Sequence, residues 1–534
     1  MSTEPDHGTV DEGKTLDGSD PEMSNYLKGW SLYVMIIALS LAAFLATLEV
    51  SIVATSLVAI SDEMQGLSRS SWIITAYMLT YTGFLIIWAK FSDIFGRKPL
   101  VVASISLFIV FSAACGGAQT LTQLIIFRAL QGIGGAGTYS LVFVIFFEAV
   151  SPEKFAPYSS LLSANFALAL LLGPLLGGLI NNYTTIPAGL VSIGLLLFSI
   201  PKNFPFHGLP SSAHKPLAFK QLFSKAQFSR VDFPGTALLL SATVFLVAAL
   251  EEAGSRYEWK SPFIVAVLAI SLVSWALFLA WSRRTTRTEG AQEPVFPWRL
   301  VQNRVRIGLL GNMFLTGAPF TVAVIQIPLR FQAVNGLSPL QSGIRLLPFA
   351  ILSPIGSGIA AGVTGKMKIP PVHVMLVGSA VQIVGFTLLS FSSTTSNISN
   401  AQYGYEAIAG FAVGINIACL IVMTPFLVEE RDKSVAMSAV IQFRTMGGAI
   451  GLAIVTNVFN SYLKSHLAAF LSPTQLSDVL QTTQAFASLP SDVAELTKIV
   501  FARGYNLQMR VMIGFCAAQI PITLTMWQKK QVLV

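Results

Sequence analysis

An acid inside a hydrophobic run is the residue of this chain best placed to do chemistry. Glu49 lies in Leu48-Glu49-Val50-Ser51-Ile52-Val53, within an apolar stretch of roughly residues 31–59, where a charge is costly and marks a working site. The chemistry open to such a group is proton loading and release. Burial raises the pKa of a carboxyl, a nearby guanidinium lowers it, and a site balanced between the two titrates near neutral pH. A basic counterpart is Arg128, inside the later apolar run Arg128-Ala129-Leu130-Gln131-Gly132-Ile133-Gly134-Gly135-Ala136-Gly137. An arginine at that depth needs a carboxylate or carbonyl partner.

Other chemistries find no residues to carry them. Cys115, Cys419 and Cys516 lie singly in apolar runs, and His7, His207, His214, His373 and His466 make no cluster with them, so neither a metal site nor a cofactor is expected. There is no Ser/His/Asp grouping, no carboxylate pair on one face and no P-loop. The chain therefore reads as a non-enzyme, driven by an ion gradient rather than by ATP. Gly132, Gly134 and Gly137 match G-x-G-x-x-G, but no soluble strand precedes them, as dinucleotide binding requires, and their flanks are membrane-length apolar runs. Small residues there let helix backbones approach closely.

These residues must be positioned by membrane helices. The chain has 534 residues, 53% hydrophobic and 11% charged, with a mean hydropathy of +0.66, more apolar side chain than a soluble fold hides. Runs long enough to cross about 30 Å of hydrocarbon fall near 31–59, 71–89, 99–118, 121–147, 159–181, 187–201, 233–250, 262–281, 308–331, 340–362, 370–392, 403–428, 435–458 and 509–527. That predicts an all-α polytopic membrane protein of fourteen spans, grouped six, two and six.

The predicted organisation is an acidic, disordered tail over 1–30, a six-helix bundle over 31–201, a linker at 202–232 and two additional spans over 233–281. A second linker at 282–307 then leads to a six-helix bundle over 308–527, with a long outer loop at 459–508 and a short tail at 528–534. The net charge of +8 is spread in short basic clusters, which argues for topogenic signals and against nucleic acid. Placing the N-terminus in the cytosol puts Lys90, Arg97, Lys98, Arg230, Arg283, Arg299 and most other cations inside, against Arg69, Arg256, Lys260, Arg330, Lys464, Lys498 and Arg503 outside. Both termini are therefore expected to be cytosolic. The sequons at Asn182 and Asn397 fall in predicted outer loops, making these residues candidate glycosylation sites.

Several runs resemble the major facilitator superfamily, in particular its fourteen-span drug:proton antiporters. Lys90-Phe91-Ser92-Asp93-Ile94-Phe95-Gly96-Arg97-Lys98 is similar to the loop signature G-x-L-x-D-R-x-G-R-[RK], with departures at Ala89, Phe91 and Ile94. The Arg128 run resembles R-x-x-Q-G-x-G-x-[GA], and Gly173-Pro174-Leu175-Leu176-Gly177-Gly178 resembles the antiporter motif of exporters. The Glu49 run looks like L-D-x-T-I-V-x-x-A-L with Glu for Asp and Ser for Thr. Further likeness, through Tyr77, Pro328, Pro348 and Gln442-Phe443-Arg444-Thr445-Met446-Gly447-Gly448, extends to fungal toxin and secondary-metabolite efflux pumps.

The resemblance implies two six-helix bundles plus two linker spans, exporting small amphipathic compounds by alternating access. Glu49 and Arg128 would couple protons, Asp93, Gly96, Arg97 and Lys98 would gate the inner loop, and Gly173, Pro174, Gly177 and Gly178 would form the bend between moving halves. Asn165, Asn312, Gln326, Gln332 and Asn416 are the polar candidates for a substrate cavity. The implied partners are an amphipathic substrate, protons and membrane lipids, with the protein a monomer in the plasma membrane, a vacuolar or vesicular membrane being the alternative. Two alternatives stand: a specific-solute or siderophore porter of the same fold, and a transport-deficient receptor-like member. The second is suggested by the sixth span, left with about 15 residues or roughly 22 Å, short of the hydrocarbon core.

Overall fold

The computed structural model describes residues 26–534 apart from 28, 64–70, 152–164, 166–167, 170–171, 174–184, 202–203, 205–223, 255–256, 289–291, 396, 482–488, 530 and 533–534. Among the described residues the chain is helical, and the only strand-like pairings are two isolated bridges. That follows from the composition: in hydrocarbon a backbone must satisfy its own polar groups, and a helix does so within one segment.

The first half holds α1 (Trp30–Glu63), α2 (Ser71–Phe95), α3 (Arg97–Gly116), α4 (Leu121–Ala149) and α5 (Thr185–Ser199). Two inserted helices follow, α6 (Phe233–Glu252) and α7 (Pro262–Arg287). The second half holds α8 (Arg304–Asn335), α9 (Pro339–Arg345), α10 (Leu347–Gly365), α11 (Pro371–Leu389), α12 (Ala401–Met423), α13 (Lys433–Leu467), α14 (Pro473–Gln481) and α15 (Ser491–Thr525). Polar caps start several of them: Thr120 accepts from the Gln123 amide, Ser261 from Ile264, and Ser338 forms a reciprocal box with Gln341, satisfying orphan amides at the helix starts.

Twelve of the described helices are long and apolar enough to cross a membrane, and they coincide with twelve of the predicted spans. The predicted span at 159–181 falls mostly outside the described residues. The one at 187–201 is the short apolar helix Leu190–Ser199, so the count of fourteen remains an expectation. Large apolar side chains face outward along the spans, among them Leu272 and Leu277 on α7 and Leu190 and Phe198 on α5, as a surface that meets lipid requires.

The stretch 459–508, expected as a long outer loop carrying short surface helices, is largely helical among the described residues. α13 continues to Leu467 and α15 begins at Ser491. The reason is packing: Phe459, Tyr462, Leu463 and Leu467 meet Val500, Phe501 and Tyr505 in a separate apolar cluster that also takes in Val334 of α8. Hydropathy averaged over a window misses this, because Lys464, His466, Lys498 and Arg503 dilute it.

The two halves repeat one another in their packing. α4 lies against α2 and α3, as α12 lies against α10 and α11; α1 contacts α4, as α8 contacts α12. Such parallel repeats are a recurrent transporter architecture. The inserted helix α6 leans on both α2 and α13.

Candidate functional site

Small residues on α4 bring the predicted coupling pair together. The Gly134 backbone passes so near α3 that a Cβ there would sit 2.5 Å from the Phe108 amide nitrogen, and at Gly137 it would sit 2.6 Å from the Trp88 ring. Thr80 donates to the Ala129 carbonyl at 2.7 Å and Trp88 Nε1 to the Ile133 carbonyl at 2.8 Å, lashing α2 to α4. The G-x-G-x-x-G spacing is therefore a helix-packing surface, as expected.

On that surface Arg128 Nη1 donates to Glu49 Oε1 at 2.9 Å and to Gln131 Oε1 at 2.6 Å. Its Nε reaches the Ile73 carbonyl at 3.3 Å, and its guanidinium carbon lies 4.5 Å from the centre of the Tyr77 ring. Gln131 in turn donates to Ser112 Oγ at 2.5 Å. Glu49 is 8% exposed and Arg128 2%. Arg128 is thus held by α2 and α4 independently of Glu49, which arrives from α1 as the removable partner. Chemically, the arrangement can take a proton on Glu49 without leaving Arg128 unpaired.

A second cluster closes one end of the bundle. Gly96 adopts φ +95°, a conformation that favours glycine, and turns α2 directly into α3. The turn sets Arg97 Nη1 2.5 Å from Asp93 Oδ1 and Nη2 2.6 Å from Glu148 Oε1. Lys98 donates to the Leu197 and Ile200 carbonyls at 2.6 and 2.7 Å. Asp93 also accepts from Ser434 of α13, at 2.6 and 2.7 Å to its two oxygens. The contact joins the two halves. Further along α13, Ser438 meets Ser140 at 2.6 Å, Gln442 accepts from the Ile86 amide at 3.2 Å, and Arg444 donates to the Tyr139 hydroxyl at 2.9 Å. Ser434, Ser438 and Gln442 are spaced by four and line one face, so the halves are sealed from the Asp93 end inward.

The linker tightens that end. Glu293 receives Lys90 Nζ at 2.5 Å and Arg230 Nη2 at 2.6 Å, and Arg299 Nη2 reaches Asp432 Oδ1 at 2.8 Å. Burial pushes the Glu293 carboxyl up, but Lys90 and Arg230 outweigh it and hold it below the usual glutamate value. Asp232 is buried where α6 starts, capping the Gly235 amide and accepting from Trp281 Nε1 at 2.8 Å.

The cavity candidates divide. Asn165 Nδ2 donates to the Ser40 carbonyl of α1 at 2.6 Å. Asn312 is spent inside the second half, on Met526 Sδ at 3.4 Å and Thr523 at 3.3 Å. Asn416 likewise donates to Gln382 and Gln519, each at 2.9 Å. These bonds of Asn312 and Asn416 lie within the second half and tie its helices together. Gln326 is buried and Gln332 half-buried on α8. Gly173 is buried, whereas Pro174, Gly177, Gly178 and Asn182 lie outside the described residues; Asn397 is exposed between α11 and α12.

Glu148 and Ser434 were not singled out in the sequence. An acid at the inner end of span four was the available signal for Glu148; Ser434 offered none.

Residues 39–253 match the Major Facilitator Superfamily, and the MFS-type transporter FPY5 of Fusarium mangiferae is 41% identical over 503 residues, covering 93% of this chain and 83% of the relative. The chain belongs to the major facilitator superfamily. The Efflux pump FUS6 of Gibberella fujikuroi is 28% identical over 533 residues, 93% of this chain and 89% of the pump. In fold, the superfamily architecture is shared with the human organic anion transporter MFSD10 (TETRAN), at a TM-score of 0.58 and 13% identity over 95% of this chain and all of that one. Superfamily membership makes the protein an integral membrane transporter of small molecules and not an enzyme.

Proposed function

We propose that the protein is a proton-coupled antiporter that exports small amphipathic organic compounds, of the kind of drugs or secondary metabolites, by alternating access. Likeness to named efflux pumps supports the direction and the substrate class. The observation that carries proton coupling is the buried Glu49–Arg128 pair, whose arginine keeps other partners when the acid is neutralised.

In this reading a proton from outside neutralises Glu49 and frees α1 from Arg128. The halves rock, the Ser434–Asp93 contact parts, and the Asp93 end opens to the cytosol. Proton release there restores the ion pair as substrate is captured. The basic loops favour cytosolic termini, the plasma membrane is the proposed site, the protein works as a monomer, and the exposed Asn397 is the proposed glycosylation site.

The test is flux of amphipathic fluorescent dyes, cationic, neutral and anionic, in proteoliposomes under an imposed pH gradient. Glu49→Gln should lose gradient-driven flux while the purified protein keeps its elution profile; flux equal to the parent protein removes Glu49 from the scheme.

A further inference from the structure

The second half contains its own buried acid and guanidinium, on the helices of the repeat that correspond to those carrying Glu49 and Arg128 in the first. Arg330 lies on α8, the first helix of its half, and Glu406 on α12, the fourth long one; Glu49 and Arg128 lie on α1 and α4. The charges are exchanged between first and fourth helix. Glu406 is 0% exposed and Arg330 6%.

The two groups communicate through an amide. Arg330 Nη1 donates to Gln402 Oε1 at 2.9 Å, and Gln402 Nε2 donates to Glu406 Oε1 at 3.3 Å. Arg330 also donates to the Ser393 carbonyl. Unlike Glu49 and Arg128, this pair is half satisfied: Glu406 Oε2 and Arg330 Nε are buried without a hydrogen-bond partner. A buried carboxylate with one protein donor is an expensive permanent charge, and a carboxyl that takes up a proton relieves that cost. The charged groups facing Glu406 are Arg330 from α8 and Arg345 from the end of α9, with the Tyr505 phenol of α15 beyond Arg330.

A cavity borders the edge of this cluster. A cavity of about 550 Å³ is lined by Ser392, Ser393, Asn506 and Arg510 among others, and Ser393 is the residue whose carbonyl holds Arg330. Asn506 braces the same turn by donating to the Ser392 carbonyl at 2.8 Å. A second cavity, of about 420 Å³, is lined by Arg345 and Tyr403, and Tyr403 immediately follows Gln402.

We propose that Glu406, with Gln402 and Arg330, is a second proton-binding site, in the C-terminal half and fed from the Ser393 cavity. The proton adds to the Glu406 carboxylate, giving a neutral carboxyl whose O–H can donate, and leaves by the same route. Its use in transport rests on the antiporter reading above, and would add a proton to each cycle; the titration itself does not depend on that reading.

The experiment is a pH-difference infrared titration of the purified full-length protein, reading the carboxyl C=O band without any substrate. Glu406→Gln should lose one titrating component and Glu49→Gln a different one, with Arg330→Gln shifting the midpoint of the first only. A Glu406→Gln titration that superimposes on the parent overturns the second site, while a Glu49→Gln titration that superimposes on the parent overturns the earlier reading instead. Should Glu406→Gln not fold, Glu406→Asp decides: a titrating component at a shifted frequency supports the site, and an unchanged spectrum overturns it.

Discussion

Arg128 holds Glu49 through one 2.9 Å hydrogen bond while the rest of its grip is on Gln131 and the Ile73 carbonyl. The asymmetry predicts unequal consequences for the two partners. Glu49→Gln keeps an acceptor for Nη1 and should leave the thermal midpoint within a few degrees. Arg128→Met strands a buried carboxylate and should cost about 3–5 kcal/mol. Thermal unfolding in detergent at neutral pH checks both, and equal destabilisation would show that Arg128 depends on Glu49 for its place.

Ser434 bonds both oxygens of Asp93 across the seam between halves. A hydrogen bond to a charged group contributes about 1.5–3 kcal/mol, so Ser434→Ala should raise the fraction open at that end roughly tenfold or more. Hydrogen–deuterium exchange over residues 86–97 and 430–438 should quicken in the variant. Unaltered exchange would mean the seam is held without this latch.

The α8–α13 contact is backbone against backbone at Gly447, where an added Cβ would strike the Phe314 carbonyl. Gly447→Ala should destabilise the protein by about 1–3 kcal/mol and depress transport. Gly194 on α5 has nothing within 4 Å of an added Cβ, and Gly194→Ala should be neutral or stabilising by up to about 1 kcal/mol. Parallel melting curves compare them; similar losses in both would remove the close-packing argument.

Glu293 is held below the usual glutamate value by Lys90 and Arg230 against the opposing effect of burial. A group whose folded pKa is depressed contributes stability above its unfolded pKa and loses it as pH falls through the folded value. Glu293→Gln should therefore be less stable than the parent at neutral pH, and the difference should vanish as the solution is acidified past the glutamate range. Melting temperature recorded against pH for both proteins gives the answer, with parallel curves contradicting it.

The helices were legible because apolar runs of membrane length leave the backbone few options, and Glu49 and Arg128 because ionisable residues at that depth are rare. Their mutual contact was not: it needs the azimuth of α1 and α4, which Gly134 and Gly137 set through packing on α3 and α2. The same missing azimuth hid the amide contacts of Asn312 and Asn416, which serve neighbouring helices of one bundle. Arg330 read as an outer-loop cation because it stands near the end of its span. Glu406, an acid inside the run 403–428, carried the same signal as Glu49, and only the fold gives it a counterpart.

The inserted pair α6 and α7 is moored at both ends. Glu293 ties the linker after α7 to Lys90 of α2, and on the far side Asn457 of α13 accepts from Trp259 Nε1 at 2.6 Å and donates to the Ala253 carbonyl at 3.2 Å. With α6 resting on both α2 and α13, the pair fences that flank of the transporter from the surrounding acyl chains, and an oily cargo dissolved in the bilayer would find this sideways doorway shut.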